Sequence, residues 1–355
     1  MKLLTRTPSI SFERLNLPGP GTKRVLFVTN MWPDEVRPYY GSFIRSQARS
    51  LMDRGLGVDL IYVRGFESKA AYVSAIPRIA RRIDSGDYDV VHVHYGHTAV
   101  SSLLSRATPT VVSFCGEDLL GAPRANGITF KSRLEVAIFR QVARFADATI
   151  TKSKEMAQVL PGSVQARNHV LANGVDLDRF QRRDRAAARA ELGWEPTGEV
   201  MLFLGNPDDP RKNVELARAA AERVTRERPG ARLFEAWGVP ADQVPVVMNA
   251  SNCLVFPSKS EGSPNAVKEA MASEMPIVAT PVGDIEERFQ GVDDCFVRAP
   301  DTGAFADAIA RALDAGISCA ARAAVEPLSV AAVAARLEAI YTDTIHHAHR
   351  RQRVQ

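Results

Sequence analysis

The chain has 355 residues, of which 45% are hydrophobic and 24% charged, and its formal net charge is +4. That length holds two domains of ordinary size, and the mild basic excess suits an anionic ligand while falling short of what nucleic acid requires. Four scattered cysteines (Cys115, Cys253, Cys295, Cys319) form no CxxC pair and read as reduced thiols of a cytosolic protein. No apolar run approaches the roughly 18 residues of a membrane span, and the opening "MKLLTRTPSISFERLNLPGPGTKR" lacks the apolar stretch of a secretory signal.

From Lys23 onward, short β-branched runs alternate with amphipathic segments. The runs at 23–30, 58–65, 89–95, 110–116 and 148–153 are bounded by turn residues, and helical spacing fills 41–54, 69–84, 97–106 and 130–146. The runs are nearly continuous, as strands covered on both faces should be, which predicts a doubly wound parallel sheet. After a turn-rich stretch near 171–194 the alternation restarts. Strands are expected at 199–205, 231–238, 253–258, 276–280 and 294–299, with helices at 214–228, within 240–251, at 302–315 and at about 329–345. The fold class is therefore α/β, with two Rossmann-like domains facing across a cleft and ligands at the carboxyl ends of their strands. The expected layout is an extension over 1–22, domains over 23–172 and 173–330, a crossover helix at 331–345 and a disordered basic tail at 346–355.

The stretch "SEGSPNAVKEAM" (260–271) carries two glutamates, Glu261 and Glu269, after the strand 253–258. Ser263 followed by Pro264 is a helix-start signature, with serine as N-cap and proline at the first helical position. The free amides of Asn265, Ala266 and Val267 would then form an anion site at the cleft. Glu269 follows about one turn further in, where it either borders that site or decorates the solvent face. Other chemistries lack their signatures: there is no GxGxxG after the first strand and no GxxxxGK[ST]. The DxD strings "DYD" (87–89) and "DLD" (176–178) do not follow a strand as a metal-binding pair would. His92 and His94 share one strand face without a third ligand at metal spacing, so no metal is expected. Residues 68–84 interleave Arg78, Arg81 and Arg82 with Tyr72, Val73, Ile76 and Ile79. Such a stripe serves either as a core-facing helix or as a contact with an anionic membrane.

The segment "SEGSPNAVKEAMASEMPIVATPVGDIEE" resembles the signature of the family 4 retaining glycosyltransferases, which have the GT-B fold. "LANGVDLDRF" (171–180) resembles the interdomain element of that family, "YYGSFIRSQARSLMDRGLGVDL" (39–60) its glycine loop and first helix, and "SFCGEDLLG" (113–121) its "FHG-D" stretch. The resemblance covers roughly Lys23 to Ile345, in the family's order.

The resemblance implies transfer of a sugar from a nucleotide diphosphate, usually UDP or GDP, with retention at the anomeric carbon and without a metal or other cofactor. It gives Glu261 the donor sugar's hydroxyls and Glu269 the ribose hydroxyls, and lines the donor with Gly262, Ser263, Pro264, Asn265 and Ala266. Gly41 and Ser42 would approach the diphosphate from the first domain, and Gly205 and Asn206 from the loop "LGNPDDPRKNVELA". Lys212 matches the diphosphate lysine. Asn206 stands where the family has arginine, a charge that Arg211 would replace. Cys115 stands where a histidine is common, and His94, His97, Glu117 and Asp118 would share the acceptor side with it. The stretch 231–252 is shorter than in many relatives. The implied partners are a nucleotide-sugar donor and a carbohydrate, lipid-linked or small-molecule acceptor, and no nucleic acid. The implied setting is the cytoplasm or the inner membrane face, with contact through 68–84. The alternative is a non-catalytic sugar-nucleotide-binding partner subunit.

Overall fold

The computed structural model describes residues 9–354 apart from 36, 87, 104, 106, 122, 125 and 126. Its first half runs through β1 (Ile10–Arg14), β2 (Arg24–Thr29), α1 (Ser42–Asp53), β3 (Gly57–Val63), α2 (Ala70–Ser85), β4 (Val90–His94), α3 (Gly96–Ser102) and β5 (Thr110–Ser113). A short helix α4 (Glu117–Leu120) and the hairpin β6 (Pro123–Arg124) and β7 (Gly127–Ile128) lead into α5 (Phe130–Val142). Then come β8 (Ala148–Thr151), the short helices α6 (Lys154–Gln158) and α7 (Gly162–Gln165), and β9 (Asn168–Val170). The sheet order is β1-β3-β2-β4-β5-β8-β9, parallel except for β1.

The residues expected to form a plain extension thus supply an edge strand. Ile10 pairs with Val63 and Arg14 with Asp59, antiparallel to β3. Only Ile10 of this strand is buried, so no apolar run announces it. Asn16 holds its far end, accepting from Val58 N (2.8 Å) and donating to Leu56 O (2.9 Å). The central strands are buried along their length because helices cover both faces. Helices α2, α3 and α5 pack over one face around Leu26, Val28, Ile79, Ile83 and Phe114.

The second half contains α8 (Arg185–Leu192), β10 (Val200–Leu204), α9 (Val214–Glu227), β11 (Arg232–Ala236), α10 (Val244–Ala250) and β12 (Cys253–Phe256). It continues with α11 (Asn265–Ala272), β13 (Ile277–Ala279), α12 (Ile285–Arg288), β14 (Cys295–Val297), α13 (Thr302–Ala315), α14 (Cys319–Val325) and α15 (Val330–Val354). Its five strands are all parallel, in the order β11-β10-β12-β13-β14.

Helix α15 returns to the first domain. Glu338 pairs with Arg54 (2.6 Å), and the Tyr341 hydroxyl meets His92 Nδ1 at 2.6 Å. Leu337, Ile340 and Tyr341 share one core with Val25, Phe27 and Leu51. The helix continues to Val354 through the stretch expected to be a disordered tail. "HHAHRRQRV" contains neither glycine nor proline to stop it. Among the described residues, no helix is long and apolar enough to cross a membrane.

Candidate active site

The fully buried strand β12 delivers the chain to the interdomain cleft, where residues 257–264 turn into α11. The helix begins one residue later than the sequence suggests. Pro264 is its cap at φ −70° and ψ 122°, and no side chain caps it. Ser263 is committed elsewhere: its hydroxyl donates to Asp284 Oδ2 (2.9 Å) and accepts from Lys268 Nζ (3.2 Å). The amides of Asn265, Ala266 and Val267 have no backbone acceptor among the described residues, since the first return bond runs from Lys268 N to Pro264 O (3.4 Å). Asn265 Oδ1 is buried and unpartnered beside them. A helix start with uncommitted donors is an anion site.

Glu269 lies about one turn along α11 and is half-buried. Its carboxylate makes no hydrogen bond or ion pair among the described residues. Burial raises it to about 6, against the pull of Arg179 and Lys268. On the loop before the helix, Glu261 Oε1 binds Lys212 Nζ at 2.6 Å. Lys212 comes from the turn after β10, which Asn206 shapes by accepting from Asp208 N (3.0 Å) and Asp209 N (3.1 Å) through its side chain and carbonyl. Arg211 in that turn is held by Asp209 (2.5 Å) and crosses the cleft to Glu117. Burial raises the Glu117 carboxyl, and Arg211 opposes the shift.

The first domain meets this site through backbone. Gly41 caps α1 at φ 73°, and a Cβ there would lie 2.4 Å from the Met31 carbonyl carbon. Only glycine fits both the conformation and the space. Across the cleft, a Cβ on Gly262 would lie 2.9 Å from Met156 Sδ and 3.2 Å from Cys115 O, so the two domains are in close contact there. Tyr39 and Trp237 meet edge-on at the mouth, with ring centroids 5.2 Å apart. Behind the contact, Asp118 organises the loop by accepting from the amides of Gly96 (3.2 Å), Cys115 (3.0 Å) and Gly116 (2.9 Å). Burial holds Asp118 at about 6 and lifts the Cys115 thiol to about 12.

Comparison with known proteins places these features in a family. Residues 21–179 match the model of Glycosyltransferase Family 4, and residues 230–315 that of Glycosyl transferases group 1. Both are glycosyltransferase models, and they fall on the first and second domains in turn. It is 29% identical over 294 residues to the D-inositol 3-phosphate glycosyltransferase of Mycobacterium sp. (strain KMS), a match covering 72% of this chain and 66% of that one. The corresponding protein of Rhodococcus jostii (strain RHA1) is 29% identical over 61% of this chain and 56% of its own. The chain thus spans 66% and 56% of the length of these two curated relatives.

Among solved structures, sucrose-phosphate synthase from Thermosynechococcus elongatus superposes with a TM-score of 0.74 at 17% identity, over 92% of this chain and 100% of that one. Anabaena HepE in complex with UDP does so with a TM-score of 0.68 at 15% identity, over 91% and 100%. The fold of this chain is GT-B.

The structure gathers Glu261, Lys212, Arg211, Gly205, Asn206 and the α11 start on one wall, with Glu269 beside them and Glu117 and the Gly41 loop opposite. It does not bring His94 to the cleft surface. His94 is fully buried, its Nε2 on Gln47 Oε1 (2.8 Å), beside His92, which bonds Tyr341 and Ser113. Burial keeps both imidazoles neutral. His97 is packed between Tyr72, Tyr95 and Phe139, and Asp118 is spent on backbone amides. Two lysines escaped the sequence reading. Lys268 is buried and donates to Asn173 O (2.8 Å) in the interdomain element, and its pKa falls to about 7 by burial. Lys152 is 3% exposed, lies beneath Gly262, and has no hydrogen bond or ion pair among the described residues. Its place directly after β8, at the carboxyl edge of the sheet, was the available signal.

Proposed function

We propose that this chain transfers a sugar from a nucleotide-diphosphate sugar to a hydroxyl acceptor, with retention at the anomeric carbon and without a metal ion. The observation that carries the reading is the set of groups left without partners at one helix start: three amides, Asn265 Oδ1 and the Glu269 carboxylate, beside the Lys212–Glu261 pair. Glu269 accepts the two ribose hydroxyls through charge-assisted hydrogen bonds worth about 1.5–3 kcal/mol each. The α11 amides and Lys212 face the diphosphate, and Arg211 supplies the second cation that Asn206 lacks. Glu261 orients the donor sugar. Lys152, under the same loop, adds a buried positive charge where the leaving group's charge grows.

In the reaction the bond from the anomeric carbon to the diphosphate oxygen breaks, and a bond to the acceptor oxygen forms on the same face. The acceptor's proton passes to the departing diphosphate. Contact of the two domains over Gly262 excludes the water that would hydrolyse the donor. UDP- and GDP-sugars are the donor classes proposed, in keeping with the UDP held by HepE. The acceptor is a hydroxyl of a polysaccharide, glycolipid or natural-product precursor, in the cytoplasm or at its membrane face.

The test is calorimetric binding of UDP-, GDP- and dTDP-sugars, with hydrolysis followed by NMR of the released sugar's anomer, in buffer with and without EDTA. Saturable binding of one donor, weakened at least about tenfold by Glu269→Ala, is expected. Release of the donor's own anomer, unaffected by EDTA, is expected as well. A folded sample that binds no nucleotide sugar overturns the reading. The departures at Asn206 and Cys115 favour one alternative, a binding subunit without catalysis. Tight donor binding without turnover across an acceptor screen would select it.

A further inference from the structure

The amino end of the second sheet, opposite the cleft, holds a cavity of about 630 Å³. Its floor is the turn before β12, with Ser251 and Asn252, and the turn before β13, with Ser273 and Glu274. Its rim is Arg182 to Arg185, where α8 begins. The volume falls within the range of about 300–1,000 Å³ that small-molecule sites occupy. The charge around it is unbalanced. Arg183 is paired with Glu191 (2.6 Å), whereas Arg182 reaches Glu274 only at 3.8 Å. Asp184 is spent as the cap of α8, accepting from Ala187 N (2.8 Å). Arg185 has no carboxylate partner among the described residues: its Nη2 donates to Gly316 O (3.2 Å), and its Nε is buried without a hydrogen-bond partner. Burial lowers its pKa, and the neighbouring charge of Arg182 lowers it further. Behind the floor, Arg189 is 3% exposed and donates to Ala250 O, Pro196 O, Gly198 O and Asn252 Oδ1, each at 2.9 Å and each a neutral group. Arg322 likewise gives its guanidinium to the carbonyls of Leu177, Phe180 and Ala272. Arg185, Arg189 and Arg322 thus share one corner of the domain, and none has a carboxylate partner among the described residues.

We propose that this cavity is a second ligand site, for a small phosphate monoester, and that its occupancy is transmitted along α11 to Glu269. A cation removed from water without a counter-ion costs free energy that a bound anion offsets. Guanidinium groups favour phosphate, whose oxygens accept the parallel N–H pair of one fork. Asn252 Oδ1 is taken by Arg189 and Val200 N, while its Nδ2 makes no hydrogen bond among the described residues and can meet a hydroxyl on the ester. The link to the cleft is Ser273, which lines the cavity and ends α11. Its N–H (3.1 Å) and its hydroxyl (3.0 Å) both donate to Glu269 O. Glu274 beside it is held at φ 56°, a conformation costly for any residue but glycine. An ester bridging Arg182, Arg185 and the Ser273 turn fixes that end of the helix. Order supplied there by one ligand need not be supplied again by the second, so the two should bind with positive cooperativity. The site rests on the cavity and its charge alone; its effect on donor affinity rests on the reading above.

The experiment titrates the full chain with glycerol 2-phosphate in a calorimeter, with glycerol as the uncharged control. Hydrogen exchange of the α11 amides and nucleotide-sugar affinity are then measured with and without the ester. Expected is saturable binding that glycerol does not reproduce. It should weaken at least about tenfold in Arg185→Met and in Arg182→Glu, and persist in Lys212→Ala at the cleft. The Arg182 side chain is 52% exposed, so Arg182→Glu tests the site even where Arg185→Met unfolds the domain. Exchange over 265–273 should slow in the native chain and not in Arg182→Glu, and the donor should bind about fivefold tighter or more. No saturable binding overturns the proposal, as does binding that both arginine variants retain. So does binding that Lys212→Ala abolishes, since the ester would then lie in the cleft. Binding at the cavity with α11 exchange unchanged overturns transmission to Glu269. A native chain that binds the ester and slows α11 exchange, yet takes no nucleotide sugar, would instead count against the glycosyltransferase reading alone.

Discussion

The two walls of the cleft handle polar groups in opposite ways. On the second domain, Glu269, Asn265 Oδ1 and three amides remain without partners although they are wholly or partly buried. On the first, most polar side chains pair within the wall, His92 with Tyr341 and Ser113, His94 with Gln47 and Asp118 with three backbone amides, although Lys152, His94 Nδ1 and His97 Nδ1 stay open among the described residues. A buried polar group left open costs stability unless something fills it. On the proposed reading the second wall is the one that receives the donor, while the first mainly holds its own shape. That reading assigns the donor to side chains of one domain, and the acceptor mostly to backbone and rim of the other.

The largest effect should come from breaking the open wall. Lys212→Ala removes the cation that faces the leaving diphosphate and leaves Glu261 unpaired. Turnover in a donor-hydrolysis assay should fall about 100-fold or more, with the fold intact by circular dichroism. Next is the protonation of Glu269, which burial raises to about 6. Ionised, it accepts the ribose hydroxyls; protonated, it cannot accept them both as a carboxylate. Donor affinity should therefore be flat above that pH and weaken as pH drops through it. Calorimetry on Glu269→Gln should show weaker binding with that dependence gone.

The closed wall should respond in stability and not in donor affinity. Tyr341→Phe deprives buried His92 of its partner and should cost about 1–3 kcal/mol in urea unfolding. The donor Kd should be unchanged, which is the sharpest contrast with Glu269. A slope spread over pH is expected at Lys268, which sits between the walls. Its pKa is lowered to about 7 by burial, so between that value and the ordinary lysine range of about 10.4 the unfolded chain binds the extra proton. Stability should rise with pH across this window, by no more than about 1.4 kcal/mol per pH unit. Below it the full destabilisation is present. Lys268→Met should flatten that slope in pH-resolved thermal melts.

The fold was legible where burial imposes a pattern. The covered strands and the helices at 42–53, 70–85, 214–227 and 302–315 follow from apolar periodicity. Edge strand β1 was not legible, because one buried residue in five gives no period. The continuation of α15 was missed for a different reason: charge suggested disorder, while the absence of a breaker and the docking of Tyr341 and Glu338 decided for helix. At the site, the start of α11 was legible to within one residue, since proline fixes where a helix can begin. The enclosed position of His94 was not legible. His92 and His94 belong to a strand buried on both faces, and nothing in "HVHY" tells a lining residue from one enclosed behind it.

The return of α15 has a consequence for how the molecule is made. The first domain leaves the ribosome with its own strands and helices, yet its core lacks Leu337, Ile340 and Tyr341 until α15 has been made. His92 waits through the synthesis of the entire second domain for the hydroxyl that satisfies it. The half that is synthesised first is therefore finished last. A nascent chain stalled before Val330 should expose that face, and there a chaperone has the longest time to act.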